Sequence, residues 1–272
     1  MLKKILREIR AIRGRAYVRM VSIRRDLLLL PFQVILPVLG VAAYIYLYRY
    51  IGAPPEYGTL VLIGGVMTTY WLNVLWSMAS QLYWERMGGN LQIYFLIPAS
   101  RMSILLGMAL GGMYITSIRA LSTLFVGLII FKLPIVLKNP IIAVLLFLLS
   151  LAALYGMGML LSSVFLVWGR EAWHLSSLFQ EPIYLLSGFY FPVKSLGVTL
   201  ASLAALIPVT LALDGMRQIL LPGGEKMGFL PIWANLLVLS VMALLFPYLA
   251  YHGLSYMERL AKKEGRLTTR WQ

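Results

Sequence analysis

The sequence predicts an all-α membrane protein with six transmembrane helices, and three observations carry that expectation. First, 60% of the 272 residues are hydrophobic and only 12% are charged. A water-soluble core cannot enclose that much apolar surface. Second, the apolar residues fall in six long runs, each near the roughly 20 residues that a bilayer-crossing helix needs. Third, the basic residues cluster beside those runs rather than within them. Lipid offers backbone N–H and C=O groups no partner, so such runs must satisfy their own hydrogen bonds as helices.

Residues 1–25 read as an amphipathic helix. Ile5, Ile9, Ile12, Ala16 and Met20 recur at helical spacings, and Lys3, Lys4, Arg7, Arg10 and Arg13 occupy much of the remaining surface. Such a helix lies in the headgroup layer rather than across the bilayer. Arginines continue to Arg25, and the apolar run that follows is too long and lacks a small-residue cleavage site, so no cleaved signal peptide is expected.

The spans are expected at 27–48, 58–83, 102–131, 141–168, 172–191 and 230–257. Pro54-Pro55 breaks the chain between the first two, and residues 84–100 form a polar segment between the second and third. The longest connection, 192–229, is not simply polar. Its stretches 196–206 and 211–221 are apolar enough to be short helices, separated by Pro208 and ended by Pro222-Gly223-Gly224. Each is too short to cross, so this region is expected to be re-entrant at the outer leaflet. The spans use nearly the whole chain, which reads as one transmembrane domain over 1–272.

Charge sets the orientation. Nine of the 24 Lys and Arg residues fall in 1–25 and five more in 258–272. An even number of spans puts both termini on one side, which then holds seventeen basic residues against six on the other, with Arg119 inside a span. The positive-inside rule makes that side cytoplasmic, in the inner membrane of a prokaryote. The net charge of +14 is thereby assigned to anionic lipid, not nucleic acid. With no cysteine, disulfides and thiolate chemistry are excluded.

Two stretches carry a resemblance. One runs from Trp84-Glu85-Arg86-Met87-Gly88-Gly89-Asn90-Leu91 through Leu96-Ile97-Pro98-Ala99-Ser100-Arg101 to Leu106-Gly107. The other is Ser187-Gly188-Phe189-Tyr190-Phe191-Pro192-Val193, followed by Ile207-Pro208-Val209-Thr210 and Asp214-Gly215-Met216-Arg217. In this order and spacing, and with an interfacial helix ahead of six spans, the chain resembles the permease subunit of ABC-2 type exporters. The resemblance implies that 84–100 is the coupling helix that docks on an ATP-binding subunit, with Glu85, Arg86, Gly88, Gly89, Asn90, Leu91 and Tyr94 as its coupling residues. The residues themselves fit a docking role. Leu91, Ile93, Tyr94, Phe95, Leu96 and Ile97 form an apolar surface that water penalises by roughly 1.5–3 kcal/mol per large side chain.

No G-x-x-x-x-G-K-[ST] phosphate loop occurs in the chain. It is therefore expected to bind no cofactor, with ATP and Mg held by a separate ABC subunit present in two copies. Six spans make half of the family's usual pathway, which implies a second permease copy, most simply a homodimer. The implied cargo is an amphiphile such as a drug, a lipid or a lipid-linked molecule, moved outward by alternating access. The lipid-linked polysaccharide branch often carries an arginine-tyrosine-arginine element before the first span. Residues 13–39 show no clear copy of it.

Charges at membrane depth are costly and usually face the bundle interior or water. Arg119 lies about 18 Å from the outer end of its span, at 1.5 Å per residue, and Glu181-Pro182 lies inside the fifth. An Arg119–Glu181 pair is expected to line or gate a pathway, with Phe189, Tyr190 and Phe191 as further gate candidates. A static structural pair explains the same charges. Gly107-x-x-x-Gly111, Gly112 and Gly156-x-Gly158 mark close helix packing. Two other classes were weighed. An intramembrane enzyme needs paired carboxylates, a metal cluster or a Ser/His arrangement, and no catalytic or metal set of that kind is visible. A channel or gradient-driven carrier would work with no ATPase partner.

Overall fold

Among the described residues, five helices of the computed structural model are long and apolar enough to cross a bilayer. The structure describes residues 2–22, 30–169 and 171–263. The expected helix residues 23–25, the expected span start at 27–29, Arg170 in the tight turn and the basic tail beyond 263 lie outside the described residues. In chain order the helices are α1 (Leu2–Ser22), α2 (Leu30–Tyr50), α3 (Glu56–Leu72), α4 (Gln81–Met87), α5 (Asn90–Leu96), α6 (Arg101–Phe131), α7 (Pro140–Trp168), α8 (Glu171–Leu186), α9 (Gly197–Ala204), α10 (Pro208–Leu220) and α11 (Ile232–Lys263).

Local chemistry sets many boundaries. Pro55 is the N-cap of α3. Ser100 caps α6 by accepting the Ser103 N–H at 3.1 Å, and Asn139 caps α7 by accepting that of Ile142 at 3.2 Å, with Pro140 in the first turn. Each such cap contributes about 1 kcal/mol. Gly169 ends α7 with φ +54°, in a conformation that side chains resist.

The second expected span is the centre of the bundle. α3 and α4 form an almost continuous apolar rod, Glu56–Met87, and most of its residues are buried. Between them Asn73–Met78 is a π-helix, whose looser winding the sequence pattern did not indicate. Small residues let neighbours close on this rod. Gly158 of α7 faces Val74 and Met78, and Gly127 of α6 faces Leu62. α7 also packs along α11, where Gly156 meets Pro247. By contrast α2 and α11 leave most of their surface uncovered, as lipid-facing or partner-facing helices do.

Two expectations are corrected. Residues 84–100 are not one helix: α4 continues the second span to Met87, and Gly89 reverses the chain with φ +77° before α5. The fifth expected span, 172–191, is shorter than expected. α8 has 16 residues and ends at Leu186, because Gly188 turns the chain with φ +65°. At about 24 Å it falls short of the roughly 30 Å hydrocarbon layer. Its first turns nevertheless reach the Trp84 end of the bundle through Trp173, and its last meet the opposite end at Phe189.

The long connection folds as expected into two short helices, α9 and α10, flanked by two 3-10 turns. α10 is buried along almost its whole length. Its charged side chains, Asp214 and Arg217, bond within the protein. Asp214 accepts from Phe229 N–H, Leu230 N–H, Gln218 Nε2 and Asn235 Nδ2 at 2.8–3.1 Å. That carboxylate fastens the hairpin to the start of α11.

Candidate functional site

At the end of the bundle that carries α1, a buried carboxylate joins three helices. Glu85 sits on the last turn of α4 with 6% of its surface exposed. Oε1 accepts from Arg15 of α1 in an ion pair and from Gln81 Nε2 at 2.9 Å. Oε2 accepts from Asn90 Nδ2 at 3.0 Å and from the Tyr94 hydroxyl at 2.9 Å, both on α5. Four donors on one carboxylate satisfy nearly all its acceptor capacity, which a buried charge requires. Burial pushes the Tyr94 phenol up, so it stays protonated and donating near neutral pH.

The joint extends along α1. Arg19, one turn beyond Arg15, donates to Gln81 and to Ser77 of the π-helix. α1 can approach this closely because Gly107 and Gly111 of α6 lie under it. A Cβ on Gly107 would come within 2.6 Å of the Ile12 carbonyl, and one on Gly111 within 3.1 Å of that of Ala16. Glu8 accepts the Ser100 N–H at 2.8 Å at the start of α6. Lys3, Lys4, Arg7, Arg10 and Arg13 remain exposed, as the amphipathic pattern predicts. Arg15 and Arg19 turn inward instead.

The far end of α5 is tied separately. Arg101 and Lys262 each stand over the Phe95 ring at 5.2 Å, and both pair with Glu258 of α11, at 2.9 and 2.7 Å. Two large apolar side chains of α5 stay outside, beside the exposed Asn90 and Gln92. Leu96 is 84% exposed and Ile93 55%, while Leu91 is buried against the bundle. Not all of the segment expected to be polar is exposed. Glu85, Arg86 and Gln81 are buried, and Arg86 donates to the Leu166 carbonyl at 2.9 Å. Asn90 and Gly88 are exposed, and Gly89 makes the bend.

At the opposite end the aromatic turn after α8 is clamped. Phe189 is fully buried beside Tyr184, and Tyr190 stacks on Tyr44 of α2 with ring centroids 4.0 Å apart. Tyr48 donates to the Tyr190 carbonyl at 2.9 Å. Arg217 of α10 gathers the Gly188, Phe189 and Phe191 carbonyls at 2.7–3.1 Å and that of Leu60 at 3.3 Å. Gly64 of α3 presses on this turn, where a Cβ would lie 1.6 Å from the Phe189 oxygen.

Between the two ends lies a cavity of about 710 Å³, bounded by α2, α3, the π-helix, α6 and the α8 turn. Arg119 and Tyr190 line it. Glu181 does not. It is exposed and accepts from Gln180 Nε2 at 3.1 Å, and no Arg119–Glu181 ion pair forms among the described residues. The two charges sit on helix faces that do not meet within one copy of the chain.

The sequence marked out residues 84–100 and the aromatic turn after α8. The residues that hold them, namely Arg15, Arg19, Gly64, Asp214 and Arg217, were missed. For the first two a signal was present, since their spacing of four puts them on one helix stripe beside Ile12 and Ala16. The others are fixed by contacts distant in sequence.

The described residues form an all-helical bundle with five helices apolar and long enough to cross a membrane. The chain matches the ABC-2 type transporter family over residues 10–221, and it belongs to that family. The family is a transmembrane permease domain that generally partners with an ABC ATP-binding subunit. No curated protein matches the chain.

Proposed function

We propose that this chain is the membrane half of an ATP-driven exporter, moving an amphiphile from the cytoplasm or inner leaflet outward. It crosses the inner membrane of a prokaryote six times, α8 with its turn serving as the fifth crossing, and both termini are cytoplasmic. The reach of α8 between the two ends of the bundle supports this fifth crossing. The basic bias around α1 supports the orientation. Two copies of the chain form the pathway, and two ATP-binding subunits dock beneath α5. Nucleotide binding draws those subunits together, and the copies alternate between inward and outward access.

The observation that carries this reading is the construction of α5. It presents Leu96 and Ile93 outward while Glu85, Tyr94 and Phe95 fix it to α1, α4, α6 and α11. An exposed apolar patch on a rigidly held connector suits a protein partner, and a push there reaches four helices together. Because the chain has no cysteine, the docking is testable by single-site crosslinking. Leu96→Cys in the assembled complex is expected to crosslink to a cysteine introduced on the ATP-binding subunit, whereas Leu39→Cys on α2 is not. Crosslinking from α2 but not from α5 contradicts the reading.

A further inference from the structure

The cavity at the middle of the bundle has an electrical peculiarity. Arg119 enters its wall from the middle of α6, about 18 Å from the helix's far end at 1.5 Å per residue. Its buried Nε has no hydrogen-bond partner, and no Asp or Glu lines the cavity with it. A cation at that depth without a counter-charge is costly. A second guanidinium strengthens the field. Arg19 repels Arg119 and bonds Ser77, which also lines the cavity.

The remaining polar wall is neutral, and it includes Gln33, whose buried Oε1 has no hydrogen-bond partner. Asn73 Oδ1 accepts from the Tyr155 hydroxyl at 2.9 Å, and its Nδ2 makes no hydrogen bond among the described residues. The threonine hydroxyls of the wall spend their protons on their own helices, Thr69 on the Gly65 carbonyl and Thr116 on that of Gly112. Charged donation is thus concentrated at Arg119, with Asn73 one helix away. Leu36, Pro37, Val41 and Leu72 supply apolar wall. The π-helix contributes Asn73, Trp76 and Ser77 to this wall. Such local departures from α geometry are frequent at functional sites. At about 710 Å³ the space falls within the range of small-molecule sites.

We propose that this cavity is a binding site for an anionic amphiphile, with Arg119 receiving its phosphate, carboxylate or sulfonate head and the apolar wall receiving its chain. The inference rests on the transport reading for its role, but the binding itself does not need the ATPase. It narrows the substrate class from amphiphiles in general to those with a negative head.

The test compares dodecyl phosphate with neutral dodecyl glucoside, each radiolabelled, on the purified permease in neutral-lipid nanodiscs. Wild type is expected to bind dodecyl phosphate roughly ten- to a hundredfold more tightly, the range for a charge-assisted contact. Arg119→Gln abolishes that preference and leaves glucoside binding unchanged, and Arg119→Lys restores part of it. Inorganic phosphate alone does not compete, which identifies an amphiphile rather than a free anion; competition by inorganic phosphate at equal concentration overturns the amphiphile assignment. Equal loss of both probes in Arg119→Gln, or a drop in its thermal stability with the preference intact, assigns Arg119 to structure and overturns the site. A second arm measures stimulation of the ATPase in the full complex. Discriminating binding without stimulation leaves the site standing and refutes the transport role. Stimulation without discrimination does the reverse.

Discussion

Arg15 and Glu85 stand 70 residues apart in the chain and meet as a part-buried ion pair between α1 and the end of the central rod. Through Glu85 the same pair holds Asn90 and Tyr94, so α1 and α5 cannot move independently without breaking a charged contact. This is the physical basis for treating α1, α4 and α5 as one lever.

Replacing Glu85 with Ala tests the lever. It leaves Arg15 without its counter-charge and two α5 donors unmatched. A fully buried pair broken this way costs about 3–5 kcal/mol. With 22% of the Arg15 side chain exposed, roughly 2–3 kcal/mol is expected here. ATP-driven transport should fall at least tenfold, while the spanning bundle still folds, with a thermal midpoint lowered by several degrees. Normal substrate-stimulated ATPase activity in this variant contradicts the assignment of α5 as the coupling element.

Arg217 should tolerate no conservative change. Its planar fork reaches four carbonyls from two elements, a geometry that the single ammonium of Lys cannot reproduce. Arg217→Lys is expected to destabilise the turn after α8 by roughly 2–4 kcal/mol, at 1–2 kcal/mol per lost charged contact. Limited proteolysis between Gly188 and Gly197 reports it. Protection equal to wild type would count against the clamp.

Two glycines in spanning helices should respond oppositely to alanine. At Gly64 the new methyl would collide with the Phe189 backbone carbonyl, so the variant should fail to assemble a stable bundle. At Gly40 of α2 nothing lies within 4 Å, and alanine should be neutral or stabilising by up to about 1 kcal/mol. Detergent thermal-shift curves separate the two. Similar midpoints for both variants would refute the close approach.

The docking of α1 on α6 should weaken in acid. The Ser100 N–H holds the Glu8 carboxyl below the usual carboxylate range. For a depressed acid the contribution is fully present above the ordinary glutamate value and is lost as pH falls through the lower folded value. Hydrogen exchange at the Ser100 amide should therefore be constant, after correction for intrinsic rates, from pH 7 to about 5 and rise below about 4. Glu8→Gln should remove the step. Because Glu8 is largely solvated, the effect is small.

Much of this was legible in one dimension. Apolar runs and proline breaks marked the long helices because lipid enforces helix wherever backbone must be self-satisfied. Gly107 and Gly111 announced a close approach, though not that the partner is α1. The bend at Gly88-Gly89 was hidden because two glycines signal either a turn or a flexible start, and only the packing of Glu85 against α1 decides between them. The π-helix at Asn73–Met78 has no composition of its own. Arg119 and Glu181 suggest a pair in the sequence because each is an acidic or basic residue inside an expected span. Helix rotation, which hydropathy does not encode, turns Glu181 away from the cavity.

The most direct test of the account is uptake by proteoliposomes containing the purified permease, with and without its ATP-binding subunit. The account predicts accumulation of amphiphile against its gradient only when that subunit and ATP are both present. Uphill accumulation by the permease alone would contradict it.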